Sequence, residues 1–238
     1  MDKLISLINP KSHVSEAYRA IRTNIEFSNP DGDLKVICVT SSIKNEGKST
    51  VISNLAVNFQ KLDKNILLID GDLRNPSLYK LFNIRNENGL TDVLFKKSSF
   101  EKCVKIEDGL HILTGGIVPP NPSEVLSSKT MREFISEIRD MYDYIFIDSP
   151  PIGIVTDAGI ISSYSDGVIF VIGSNQVDSN IAKNAKERLD KLNANILGVI
   201  VNKFNMSRSE YGYYEYYYTD DNGVKKIKKR KKEKKRRR

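Results

Sequence analysis

The sequence predicts an α/β fold in which a mostly parallel, twisted sheet is covered by helices on both faces. Short apolar runs alternate with longer segments of helical periodicity, and strands that are apolar on both sides belong in such a sheet. The runs predicted as strands are 36–39, 66–69, 110–113, 144–147, 167–172 and 196–201. The segments predicted as helices are 14–27, 48–62, 128–142, 156–163 and 180–192.

The composition divides the chain into a domain and a tail. The net charge of the 238 residues is +7, but residues 225–238 carry twelve Lys or Arg and one Glu, which leaves −4 for the rest. A block of like charge this long repels itself and is expected to be disordered. We therefore predict one folded domain at residues 1–207, large enough for a substantial core, and a disordered tail at residues 208–238.

The sequence shows no membrane span or signal peptide and contains only two cysteines. No apolar stretch approaches the ~18–20 residues that a membrane span requires, and no signal-peptide pattern opens the chain. Cys38 and Cys103 have no cysteine neighbours in sequence, so we expect reduced, structural thiols. These features favour a cytoplasmic protein.

The segment Ser42–Thr50 has the residues and the setting of a phosphate-binding loop. Its sequence, S-I-K-N-E-G-K-S-T, follows a predicted strand and opens a predicted helix, although a serine begins it where glycine is common. A glycine before the helix lets the backbone approach phosphate, the following lysine supplies positive charge, and the next hydroxyl suits Mg²⁺. The predicted nucleotide-binding residues are Glu46, Gly47, Lys48, Ser49 and Thr50.

Three aspartates follow the ends of two other predicted strands. Asp70 and Asp72 close the run I-L-L-I-D-G-D, and Asp148 closes Y-I-F-I-D. Because ligands bind at the carboxyl ends of parallel strands, these carboxylates can meet the phosphate loop. Carboxylates at close range need a compensating cation, so we predict Mg²⁺ held by Ser49, Asp72 and, through water, Asp148. Asp70 is then the predicted acceptor of a proton from an attacking hydroxyl.

Clustered tyrosines give the predicted site a candidate substrate. Six of the eleven tyrosines lie within eight consecutive residues near the end of the chain. A phosphate loop, carboxylates for a metal and a tyrosine cluster together suggest a kinase that phosphorylates itself. The predicted acceptors are Tyr211, Tyr213, Tyr214, Tyr216, Tyr217 and Tyr218.

These motifs resemble the bacterial tyrosine kinases of capsular and exopolysaccharide systems, a branch of the deviant P-loop ATPases. The D-x-D-x-R motif of that family is matched from Asp70 to Arg74, and its D-x-x-P motif from Asp148 to Pro151. The resemblance runs from about Ser12 to the tyrosine cluster. It implies transfer of the ATP γ-phosphoryl group to tyrosine with Mg²⁺, with Lys48, Asp70, Asp72 and Asp148 as catalytic residues. It also implies that Asn202 contacts adenine.

The resemblance also implies partners. The family's E-x-x-R-x-x-R motif for ring assembly is matched by Glu16, Arg19 and Arg22, although the sequence alone favours an ordinary solvated helix face. The implied assembly is a ring of copies of this chain, with an octamer as one candidate size. A separate transmembrane adaptor is expected to activate the kinase and hold it at the inner face of the cell membrane. Other tyrosine proteins are implied substrates, and polysaccharide polymerisation and export the implied process under control.

Alternatives stay open for the folded domain and for the tail. ParA/MinD-like ATPases share the superfamily and act as nucleotide-switched positioning proteins, but they carry a signature lysine five residues before the invariant one, where this chain has Ile43. The basic tail is a candidate for attraction to anionic lipid. Nucleic-acid binding by the tail is less favoured, because the body is acidic and residues 219–222 separate the tyrosines from the basic run.

Overall fold

The computed structural model describes residues 4–205, which form one seven-stranded sheet with the strand order β3-β4-β2-β5-β1-β6-β7. All neighbouring strands are parallel except β3 and β4, which pair antiparallel. The strands are β1 (Val36–Ser41), β2 (Ile66–Asp70), β3 (Lys105–Glu107), β4 (Leu110–Leu113), β5 (Tyr144–Asp148), β6 (Gly167–Gly173) and β7 (Ile196–Asn202).

Two helices precede β1, and the others lie between successive strands. The helices are α1 (Ile5–Ile8), α2 (His13–Phe27), α3 (Lys48–Gln60), α4 (Leu78–Phe82), α5 (Leu90–Leu94), α6 (Phe100–Cys103), α7 (Pro122–Ser127), α8 (Lys129–Ile138), α9 (Asp157–Ser162) and α10 (Ser179–Lys191). A 3₁₀ turn at Arg139–Met141 follows α8. Ser12 caps α2 and Ser128 caps α8, because each hydroxyl accepts a hydrogen bond from a backbone N–H in the first turn.

Two hydrophobic cores lie on opposite faces of the sheet. Strand β1 alternates between them, with Val36 and Cys38 in one core and Ile37 and Val39 in the other. Helices α7 to α10 cover the first core, whereas α1 to α4 cover the second. The predicted sheet with helices on both faces is therefore confirmed, and every strand predicted from the sequence is present.

The structure also corrects and limits the sequence predictions. The helix predicted over 128–142 ends as an α-helix at Ile138, and short β3, with its antiparallel pairing, was not predicted. No helix within residues 4–205 is long and apolar enough to cross a membrane. The predicted domain boundary after residue 207, the tyrosine cluster and the basic tail lie outside the described residues.

An aspartate ties the amino ends of the central strands together. The carboxylate of Asp166 accepts hydrogen bonds from the backbone N–H groups of Lys35 and Val36 at 2.8 and 2.7 Å. It also accepts two hydrogen bonds from the guanidinium of Arg139, at 2.9 and 2.8 Å. Charge-assisted bonds of this kind are stronger than neutral ones. Asp166 thus fixes the start of β1, whose other end leads into the phosphate loop.

We expect Asp166→Ala to lower the free energy of unfolding by about 2–3 kcal/mol, because it leaves two amides and a guanidinium without their acceptor. Urea denaturation measures the change. Asp140→Ala is the matched control, since its side chain is 93% exposed and its change should stay within about 0.5 kcal/mol. Equal stability of the two variants would contradict this role for Asp166.

Candidate active site

The phosphate loop and the three predicted aspartates meet at the carboxyl edge of the sheet. The loop joins β1 to α3, and β5 lies between β1 and β2. Asp148 at the end of β5 is the direct register partner of Asp70 at the end of β2. The parallel topology therefore brings motifs that are far apart in sequence to one place, as the sequence predicted.

The phosphate loop approaches the helix in a backbone conformation that requires glycine. Gly47 precedes the first residue of α3 with φ +92°, in the left-handed region. A Cβ atom at this position would also lie 2.2 Å from the side-chain nitrogen of Asn202. The 13-residue helix α3 directs its N-terminus at the loop, and helix N-termini attract phosphate. Lys48, Ser49 and Thr50 form its first turn.

Glu46 shapes the loop from the inside. Its carboxylate is completely buried and accepts hydrogen bonds from the Ser42 hydroxyl at 2.7 Å and the Ile43 backbone N–H at 2.8 Å. Its other oxygen accepts from the Gly173 N–H, at the end of β6, at 2.9 Å. The Glu46 side chain thus holds the loop closed, and Ser42, at the position where glycine is common, supplies one of its donors.

The end of β7 holds the loop from the other side. The Asn202 side chain donates a 2.8 Å hydrogen bond to the backbone carbonyl of Glu46. Lys203 Nζ donates to the carbonyl of Asn45, which has a left-handed φ of 66°. Asn202 therefore lies at the phosphate loop, at the same sheet edge as the aspartates.

Lys48 reaches back to the carboxylates. Its Nζ lies 3.3 Å from Asp72 Oδ2 and 3.9 Å from Asp148 Oδ1. Burial lowers the pKa of Lys48, but the negative charges of Asp148, Asp72 and Asp70 outweigh burial and raise it above its ordinary value. The ammonium is therefore held in its charged form, as the binding of phosphate requires.

The two carboxylates at the strand ends carry more negative charge than the described residues compensate. Asp70 Oδ2 accepts hydrogen bonds from the backbone N–H groups of Ser77 and Leu78 at 2.8 and 2.9 Å. Burial raises the pKa of Asp70, and the charge of Asp148 raises it further. Burial also raises the pKa of Asp148, although Lys48 opposes this. Both carboxyl groups are completely buried.

These residues fit a divalent cation bound together with phosphate. Asp70 Oδ1 and both Asp148 oxygens are buried without a hydrogen-bond partner among the described residues. Within residues 4–205, no three His, Cys, Asp or Glu side chains are arranged to hold a metal by themselves. Mg²⁺ commonly takes one or two carboxylates and completes its shell with water and substrate phosphates. Ser49, Asp72 and Asp148, the ligands predicted from the sequence, supply one hydroxyl and two carboxylates, which is a donor set of this kind.

Ser77 is a site residue that the sequence reasoning missed. Its hydroxyl donates a 3.0 Å hydrogen bond to the Ser49 hydroxyl, and its backbone N–H binds Asp70. It immediately precedes α4, so it links the loop after β2 to the predicted metal ligand on α3. The only signal in the sequence is a serine after Pro76 at the start of a short helix, which is common at helix starts of every kind.

Arg74 of the D-x-D-x-R motif forms its hydrogen bonds away from the two aspartates of that motif. Its guanidinium donates to both oxygens of Asp157, at 2.7 and 3.1 Å, and to the Ser123 hydroxyl at 2.8 Å. Ser123 in turn donates to Asp157 at 2.7 Å, and Asp157 is completely buried. The loop bearing Asp72 is therefore anchored to α7 and α9. Sequence reasoning did not single out Asp157.

The residues predicted for assembly lie on α2 and already contact their own chain. Arg19 pairs with Glu16 and donates a 2.8 Å hydrogen bond to the Pro10 carbonyl. Arg22 donates to the Asn58 carbonyl at 3.1 Å, and its Nε lies 3.6 Å from Glu26 in an ion pair along the helix. The six tyrosines predicted as acceptors lie outside the described residues.

Comparison with known sequences identifies the relatives of this chain. The family described as "ParA: NUBPL iron-transfer P-loop NTPase" matches residues 34–234. The tyrosine-protein kinase YwqD of Bacillus subtilis is 46% identical over 214 residues, which cover 89% of this chain and 90% of that protein. The putative tyrosine-protein kinase CapB of Staphylococcus aureus is 36% identical over 87% of this chain and 92% of its own length.

Comparison with solved structures shows which of two groups of proteins the fold resembles more. The chimerical protein CapA2B2 superposes with a TM-score of 0.83 at 34% identity, covering 87% of this chain and 92% of that one. The septum site-determining protein MinD of Pyrococcus horikoshii, complexed with Mg-ADP, superposes with a TM-score of 0.61 at 25% identity over 73% of this chain and 72% of its own. The tyrosine kinases are therefore nearer than the MinD-type ATPases, which share the nucleotide-binding fold. The chain belongs to the bacterial tyrosine-protein kinases, within the ParA-type P-loop NTPases.

Proposed function

We propose that this chain transfers the γ-phosphoryl group of ATP, bound with Mg²⁺, to tyrosine hydroxyls, including those of its own terminal cluster. The observation that carries the proposal is the set of buried carboxylate oxygens at the ends of β2 and β5 that lack a hydrogen-bond partner among the described residues, beside a lysine at the start of α3. A phosphate-binding loop alone serves many nucleotide enzymes. The additional carboxylates supply what phosphoryl transfer to a hydroxyl needs, namely a cation site and a proton acceptor.

Each site residue has a proposed role. The backbone of residues 46–50 and the N-terminus of α3 hold the phosphates, and Lys48 neutralises charge on the outer phosphates. Ser49, Asp72 and Asp148 would hold Mg²⁺, which neutralises charge that develops on the transferred group. Asp70 accepts the phenolic proton, because its raised pKa makes it a better base than an ordinary aspartate. Asn202, which donates to the Glu46 carbonyl of the loop, would contact the adenine, as the resemblance implies.

The proposed acceptors are the six tyrosines between positions 211 and 218. We propose that they enter the site of a neighbouring copy in a ring formed through α2, with Glu16, Arg19 and Arg22 exchanging their contacts within the chain for contacts between chains. Each phosphate adds roughly −1.5 to −2 charges, so phosphorylation at several tyrosines would weaken this docking.

We further propose a membrane setting. A separate transmembrane adaptor would activate the kinase, as the resemblance implies, and place it at the inner face of the cell membrane. The +11 charge of residues 225–238 would add attraction to anionic lipid that salt weakens. In this setting the kinase would act on the proteins that polymerise and export capsular or extracellular polysaccharide.

Replacement of Lys48 tests the chemistry. We expect Lys48→Met to reduce phosphotyrosine formation on the tail on the order of 100-fold or more, because the phosphates lose their main positive partner. Mass spectrometry after incubation with Mg·ATP measures the product. Lys44→Met is the matched control, since Lys44 lies in the same loop but is exposed and should leave the rate within about twofold. Full activity in Lys48→Met would refute the proposed mechanism.

Asp70→Asn separates catalysis from stability. We expect it to abolish autophosphorylation and yet to raise Tm by about 2–4 °C, because a neutral amide removes the cost of burying a carboxylate and its repulsion from Asp148. Thermal unfolding without nucleotide measures this change. Asp157→Asn is the opposite control: it weakens a compensated pair with Arg74 and should lower Tm. A destabilised Asp70→Asn protein would argue against the proposed electrostatic strain.

The assembly proposal predicts a dependence on α2. We expect the unphosphorylated chain, with its adaptor's cytoplasmic segment if needed, to form large oligomers that Glu16→Ala with Arg19→Ala reduces to monomers. Light scattering measures the mass, and incubation with Mg·ATP should also dissociate the wild type. Lys11→Ala, an exposed change beside the same helix, is the control. Oligomers that persist in the double variant would place the interface elsewhere.

A further inference from the structure

A groove of about 560 Å³ lies on the sheet face opposite α3, between α8, α9 and α10. Apolar side chains of Ile152, Val155, Ile160 and Leu192 line it. One wall is formed by Ile152, Val155 and Thr156, in the loop that leads from Asp148 to α9. The groove is therefore separate from the phosphate loop but shares a segment of chain with the active site.

Three cations border this apolar surface. Arg132 of α8 and Arg188 and Lys191 of α10 line the groove, and no acidic residue does. None of the three forms an ion pair with another residue in the range 4–205. Arg188 is held in place because it donates hydrogen bonds to the carbonyls of Ile152 and Gly153, at 3.2 and 2.9 Å. Arg132 lies over the Tyr164 ring, 5.7 Å from its centroid, so the described contacts of these cations are with neutral groups. Apolar walls beside cations without an acidic partner suit a ligand with an aromatic or aliphatic body and an anionic end.

We propose that the groove binds a phosphotyrosine from the segment 209–222 of this chain, with the ring against the apolar walls and the phosphate between the cations. The segment contains six tyrosines, two Glu and two Asp, and no Lys or Arg. Arginine binds phosphate through paired N–H donors, and arginine clusters are a common means of recognising phosphorylated segments. The proposal rests on the autophosphorylation proposed above, which would supply the modified tyrosine.

Charge distinguishes this segment from the rest of the tail. Residues 225–238 carry +11 and would be repelled by Arg132, Arg188 and Lys191, whereas the tyrosine segment carries −4 before any phosphate is added. Each phosphate adds roughly −1.5 to −2 charges, so affinity rises with phosphorylation. The groove would thus hold the product of the reaction away from the carboxyl edge of the sheet.

Binding of synthetic peptides tests the proposal without requiring kinase activity. Fluorescein-labelled peptides of residues 209–222, unphosphorylated or phosphorylated at one of the six tyrosines, are titrated into the full-length chain after phosphatase treatment, without ATP. Anisotropy reports affinity. At least one phosphopeptide should bind on the order of tenfold more tightly than the unphosphorylated peptide, and Arg132→Glu with Lys191→Glu should abolish that gain.

The matched control is Lys102→Glu with Lys183→Glu, which makes the same charge change at exposed positions outside the groove. It should alter affinity by about twofold or less. Arg132→Ala with Lys191→Ala gives a milder second test if the glutamate variant unfolds.

Three results would overturn the proposal: equal weakening by the control, unchanged binding in both groove variants, or equal affinity for phosphorylated and unphosphorylated peptides. A groove that binds phosphatidylglycerol vesicles through Arg132 and Lys191, but no phosphopeptide, would also overturn it and indicate a lipid ligand. Because the peptides are synthetic, failure here leaves the kinase proposal intact, and absence of autophosphorylation leaves this binding test intact.

Discussion

The close approach of buried carboxylates to one lysine is the constraint on which the rest of the site depends. Asp70 and Asp148 are register partners on adjacent strands, so the sheet itself forces like charges together. Lys48 compensates them only in part, and three carboxylate oxygens remain without a hydrogen-bond partner among the described residues. A protein that buries such a cluster gives up stability, which is common where a site must bind a cation or move a proton. The apolar cores on both faces of the sheet offset that loss.

Glycines at the site make this approach possible. Gly71 donates a 2.8 Å hydrogen bond to the Asp148 carbonyl, and a Cβ there would lie 2.8 Å from the same oxygen. At Gly153 a Cβ would lie 2.1 Å from the Ser42 carbonyl, so the loop after β5 packs directly on the start of the phosphate loop. A larger residue at position 71 would push apart the chain segments that carry the aspartates, and one at position 153 would push the loop after β5 away from the phosphate loop. The buried Glu46 then fixes the phosphate loop against β6 from within.

The sequence predicted the sheet, its covering helices and the convergence of the three motifs, because each depends on local signals. The sequence shows directly the apolar runs, the strand ends and the glycine before Lys48. The parallel topology then determines where these features meet. Contacts between single polar side chains that lie far apart in sequence could not be predicted. Asp157, for example, binds Arg74 from 83 positions away, and neither its neighbours nor its spacing mark that partnership. Glu46 was expected among the nucleotide-binding residues, but its carboxylate faces inward. This orientation was not predicted, because nothing in the sequence gives the direction of a loop side chain.

The phosphate loop departs from the pattern expected of ParA/MinD-like ATPases. Where that pattern places a lysine, this chain has Ile43, whose backbone N–H donates to the buried Glu46 carboxylate. The neighbouring Lys44 is exposed and has no ion-pair partner within the described range. The loop is thus organised around an internal acid, and the positive charge directed at the aspartates comes from Lys48. The mechanism proposed above needs an incoming hydroxyl beside these aspartates, and the chain carries six candidate hydroxyls in its own acidic tyrosine segment.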